Sequence, residues 1–89
     1  MEKEQIAVVK GLMNASKKCF NTYMRAIDTL KSEKRPVPAY WNKACNKLFV
    51  AVKAYEQVLE LVGEKQSGLC GTDEIDEKLY QMLIERTRP

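Results

Sequence analysis

The 89-residue chain contains no histidine. That removes the commonest general base near neutral pH and the most frequent zinc ligand. Cysteine is sparse and odd in number, at positions 19, 45 and 70, with no C-x-x-C pair. The chain is therefore expected to carry no disulfide framework, no structural zinc and no other metal; the three thiols read as small, reduced, largely apolar side chains. The four glycines are scattered and form neither a phosphate-cradling loop nor a dinucleotide fingerprint, and no G-x-S-x-G elbow occurs. No cofactor is implied, and no catalytic residue can be assigned.

Long apolar runs are also missing. The most hydrophobic stretch, "LFVAV", is far too short to span a bilayer, and "MEKEQIAVVK" lacks the basic start and apolar block of a secretory leader. The expectation is a cytoplasmic protein without a membrane association. Strand-like alternation, repeats and low-complexity tracts are absent as well.

What is present is helical periodicity. Ile6, Val9, Met13, Ser16, Phe20, Tyr23, Ile27 and Leu30 recur every three or four residues, a heptad-like stripe that predicts a helix from 3 to about 34. Leu12, Cys19 and Ala26 widen the stripe on one side, and Val8 and Ala15 carry it further round. "RPVP" must stop this helix, because a residue preceding proline is pushed out of the helical region. A second helix is predicted from about 38 to 63, with Pro38 in its first turn and Gly63 as its stop. Trp41, Ala44, Cys45, Leu48, Ala51, Val52, Tyr55, Val58, Leu59 and Val62 make its inner face, and Val50, Ala54 and Leu61 a weaker stripe opposite. A third helix is predicted from about 73 to 87, opened by Thr72 or Asp73, with Ile75, Leu79 and Met82 inward and Leu83 at the edge.

The fold class is thus all-α: one domain over 1–89, a long antiparallel helical hairpin plus a short C-terminal helix. The third helix is too short to cover the hairpin, and uncovered apolar helix surface usually marks an interface. The bundle is therefore expected to be completed by homodimerisation. The competing arrangement is a compact monomer whose first helix breaks near Gly11 or Ser16.

Charge is distributed unevenly. The net charge is +3; residues 1–35 carry eight bases against four acids, and residues 72–89 carry three against five. Asp73, Glu74, Asp76 and Glu77 read as acids that favour a helix start, not as a metal site. Lys3, Lys10, Lys17 and Lys31 form a row beside the apolar stripe and read as solvated flanks. The densest basic group is at the hairpin tip, where Lys31, Lys34, Arg35, Lys43 and Lys47 are opposed by Glu33 alone, with Tyr40 and Trp41 among them. These seven residues are the candidate binding set. Bases contact phosphates or acidic proteins, and aromatic rings stack on unpaired nucleobases or anchor interfaces. Trp41 lies in phase with Leu48, Tyr55 and Val62, which predicts a plug in the end of the bundle; Tyr40 falls off that stripe and is the better exposed contact.

The function expected on these grounds is that of a small non-enzymatic helical interaction protein, a regulator, inhibitor or adaptor that self-associates and binds another protein. The alternatives are a nucleic-acid binder using the basic tip, against which +3 is a modest charge, and a bundle that binds a small anion between Lys17, Lys18 and Arg25.

Overall fold

A computed structural model describes residues 2–64 and 74–88. Three helices are present among them: α1, Lys3–Ser32; α2, Ala39–Leu61; and α3, Glu77–Arg86. No strand is present among the described residues. α1 packs against both α2 and α3. It runs without interruption through Gly11 and Ser16, because one glycine costs only ~1 kcal/mol and the apolar stripe continues on either side.

Both hairpin helices end in the same way. In α1 the Lys34 N–H donates to the Lys31 carbonyl (3.1 Å) and the Arg35 N–H to the Leu30 carbonyl (2.8 Å). In α2 the Gly63 N–H donates to Glu60 (3.0 Å) and the Glu64 N–H to Leu59 (2.9 Å). This is the Schellman arrangement, which needs a left-handed residue just past the helix. Gly63 supplies it at φ 82°, as its place in the sequence suggests; at the tip Lys34 does so at φ 58°. A side chain in that region costs on the order of 1 kcal/mol that glycine avoids. Lys34→Gly is therefore expected to raise stability by about that amount, seen as a higher denaturation midpoint.

Two boundaries differ from expectation. Pro38 is the N-cap of α2, not a first-turn residue. α3 starts at Glu77, with the Asp76 carboxylate accepting from the Leu79 N–H (3.2 Å), so the capping acid is Asp76; Thr72 and Asp73 lie outside the described residues. The lead-in is stitched to α1 by a fully buried threonine. Thr22 Oγ1 accepts from the Asp76 N–H (2.8 Å) and donates to the Lys18 carbonyl (2.7 Å).

The core has two parts. At the tip, Ala26, Ile27 and Leu30 of α1, Trp41 and Cys45 of α2 and Leu83 of α3 pack together. Toward the open end, Met13, Val52 and Leu59 form a second cluster supplied by α1 and α2 alone. On α3 the inward residue is Leu83, 4% exposed, whereas Met82 is 46% exposed. The expected order of those two is reversed: Ile75 precedes the helix, and α3 docks on the tip cluster through Leu83 with Leu79, Tyr80 and Ile84. Lys17 is likewise not a solvated flank but 4% exposed. A long basic side chain can bury its four-carbon stem along apolar surface in this way. Lys10 is half-buried and pairs with Glu64 at 3.1 Å.

The result is an elongated particle, 49 × 20 × 18 Å, with a radius of gyration of 14.9 Å. A compact domain of this length would have ~12 Å. No helix among the described residues is long and apolar enough to cross a membrane.

Candidate functional site

The basic tip is built by the turn between α1 and α2. Of its seven candidate residues, the fold itself uses two. Trp41 is 0% exposed and sits in the tip cluster, with edge-on ring contacts to Tyr23 (centroids 6.2 Å, 78°) and Tyr40 (6.4 Å, 85°). It is the plug that its phase predicts, and its ring has no face to offer a partner. Its indole Nε1 is buried without a hydrogen-bond partner.

Arg35 is the second. Its guanidinium donates to Glu33 Oε2 (3.1 Å), to Thr87 Oγ1 (3.0 Å) and to the Ile84 carbonyl (3.5 Å). It ties the turn to the C-terminal end of α3, where carbonyls are unsatisfied and a cation is favoured. By sequence Arg35 belongs to the charged tip; only the docking of α3, more than forty positions away, turns it into a strut. Thr29 and Tyr80, whose hydroxyls lie 2.9 Å apart, add a second tie that the apolar pattern does not reveal.

The other five, Lys31, Lys34, Tyr40, Lys43 and Lys47, are exposed, Tyr40 by 54%. None of the four lysines makes an ion pair among the described residues. The remaining contact surface at the tip is thus four free cations and one phenol.

Of the three bases Lys17, Lys18 and Arg25, Lys17 is buried while Lys18 and Arg25 are exposed. Arg25 instead borders a shallow depression of about 200 Å³ with Asn21, Met24, Asp28 and Ile75, where the Asp28 carboxylate opposes an anion. No group of three His, Cys, Asp or Glu side chains that could hold a metal occurs among the described residues.

A longer groove of about 390 Å³ runs between α1 and α2 near the tip. Phe20, Met24 and Ile27 of α1 and Asn42, Cys45, Asn46 and Phe49 of α2 line it, with Ile27 and Cys45 buried. Burial pushes the Cys45 thiol above its ordinary range, which disfavours the thiolate needed for nucleophilic or redox chemistry. Tyr23 is also raised, first by burial and then by neighbouring Cys19, Tyr40 and Cys45, with Arg86 opposing.

Both groups hold their protons more tightly in the folded state. Their contribution to stability is complete below the unfolded values, 9.0 for the thiol and 10.0 for the phenol, and is lost as pH rises beyond them. The melting temperature is expected to fall steadily above about pH 9, and Tyr23→Phe should flatten the later part of that fall. An unchanged slope in the variant would exclude Tyr23 as a source.

Large apolar side chains lie bare elsewhere. Toward the open end, Val8 (61%) and Leu12 (48%) on α1 and Val50 (65%) and Leu61 (86%) on α2 are exposed. The sequence marks Val8, Leu12, Val50 and Leu61 as apolar stripes beyond the main seam; α3 leaves Val8 and Leu12 open, and Val50 and Leu61 lie on the side of α2 away from α1. The same α1 side continues to Thr22 and Ala26, both 0% exposed where α3 covers them.

No protein-family model, characterised protein or solved structure matches the chain.

Proposed function

We propose that the protein is a small non-enzymatic helical interaction protein, a regulator, inhibitor or adaptor, that self-associates and binds a macromolecular partner through the uncovered side of its hairpin. The observation that carries this reading is the exposed apolar set Val8, Leu12, Val50 and Leu61. The accessible surface supports it. At 6285 Å² it exceeds by about 1,000 Å² the ~5,300 Å² expected of a compact monomer of this mass. Large apolar side chains left bare on the faces of a soluble helical hairpin are candidate contacts.

Co-purification from the native host, run beside the Val8→Glu, Leu12→Glu double variant, tests the reading. The wild-type chain should retain a macromolecular partner that the variant loses. A particle of monomer mass that retains nothing would count against it.

Nucleic-acid binding at the tip is a second reading, favoured by the unpaired Lys31, Lys34, Lys43 and Lys47 around exposed Tyr40. A mobility shift at low salt should weaken steeply with added salt and disappear with Lys34→Glu and Lys43→Glu combined. Arg35 must stay intact in that test, because it also ties the turn to Thr87 and the Ile84 carbonyl of α3. No retardation at low salt ends this reading.

A further inference from the structure

Between Leu48 and Leu61 the polar residues of α2 are Lys53, Glu56, Gln57 and Glu60, at spacings i, i+3, i+4 and i+7. They make a single stripe. Val52 and Leu59, both fully buried, face α1. The rest of the circumference is apolar, and Val50, Ala54 and Leu61 on it are exposed. A helix with apolar residues on most of its circumference is suited to burial on more than one side, yet in the described structure α1 is the only helix with extensive contact to α2.

Charge along α2 says what fits there. Residues 39–52 hold Lys43 and Lys47 and no acid, a sum of +2. Residues 53–64 hold Lys53 against Glu56, Glu60 and Glu64, a sum of −2; Lys53 pairs with Glu56 (3.4 Å) and Lys10 of α1 with Glu64 (3.1 Å), which leaves Glu60 as the acid of this half without an ion pair among the described residues. Laid parallel, two such helices set like charge on like. Laid antiparallel about Ala51–Ala54, each basic half meets the other's acidic half, and the helix dipoles oppose favourably. The central alanines allow the axes to approach to the ~8 Å of close helix packing. Val50 and Leu61 then fall on either side of the crossing.

We infer that a second copy of this chain occupies the outer face of α2, in a two-fold antiparallel α2–α2 contact centred on Ala51–Ala54. The inference rests on the self-association part of the function proposed above and specifies its geometry. A two-fold contact requires a patch complementary to itself, which this charge reversal provides.

The test measures mass by light scattering over a concentration series, with circular dichroism as a check on folding. The wild-type chain should be a dimer, and Val50→Glu with Leu61→Glu a monomer of unchanged helicity, since both positions are exposed. Lys47→Glu alone and Glu60→Lys alone should each raise the dissociation constant several-fold, and the two combined in one chain should restore it. In a chain whose native cysteines are replaced by alanine, Ala54→Cys should form an intermolecular disulfide on oxidation.

A dimer that survives Val50→Glu with Leu61→Glu overturns this interface and leaves self-association standing. A wild-type monomer at every concentration overturns the dimer, while the co-purification experiment still decides the wider reading separately.

Discussion

Replacing Trp41 with alanine is expected to lower the melting temperature by roughly 15–30 °C. The side chain is fully buried in the tip cluster among Ala26, Ile27, Leu30, Cys45 and Leu83. Truncating a buried aromatic costs about 3–5 kcal/mol through lost transfer energy and the cavity left behind. A domain of this size has a total stability of the same order, and each kcal/mol shifts its midpoint by ~4–8 °C. The effect reaches all three helices, because the ring is where they meet.

Trp41→Phe separates packing from polarity. The indole Nε1 has no partner, so its removal relieves a buried donor while opening a smaller gap. The phenylalanine variant should lose less than about 2 kcal/mol. Thermal melts followed by circular dichroism would check both. A melting temperature within a few degrees of wild type for Trp41→Ala would mean that the tip is not held by this residue.

Leu83→Asp is expected to release α3 from the hairpin. Leu83 is 4% exposed and is the one α3 residue in the buried tip cluster. A carboxylate there would be buried without a partner, which costs several kcal/mol. α3 has only 10 residues, and an isolated helix of that length is marginal in water. Its helicity therefore depends on docking. Hydrogen exchange should show amides 79–86 losing protection while Met13, Val52 and their neighbours at the open end keep theirs. Equal protection of α3 in variant and wild type would refute this dependence. The milder Leu83→Ala should lose about 2–5 kcal/mol in the same cluster.

The two variants show which parts of this molecule were legible from residues alone. The hairpin was: Met13, Ile27 and Leu30 on one stripe and Val52 and Leu59 on the other are buried as their spacing indicates, and the proline pair places the turn. Trp41 is legible for the same reason, since its phase on the second helix is fixed by local geometry. Gly63 needs only its own backbone preference to be read. The third helix was less so. Its stripe is short, and with Ile75 outside the helix too few apolar positions remain to tell Met82 from Leu83; its capping acid is settled by the bond from the Asp76 N–H to Thr22, a partner 54 residues earlier.

The candidate site divides along the same line. Lys31, Lys34, Tyr40, Lys43 and Lys47 lie on the surface, where side-chain chemistry alone predicts them. Arg35 and Lys17 do not, although nothing in their immediate neighbours sets them apart from the other bases. One is held by Thr87 and the Ile84 carbonyl, and the other is buried.

The sequence by itself determined that this chain is helical, where its two long helices turn, which side of each faces inward, and that histidine-dependent chemistry is excluded. Those properties follow from period, proline and composition, which act over a few residues. Only the tertiary structure decided how far α3 reaches, and hence which cations become struts and which apolar side chains stay bare. That depends on contacts between residues some fifty positions apart, whose geometry no local pattern encodes.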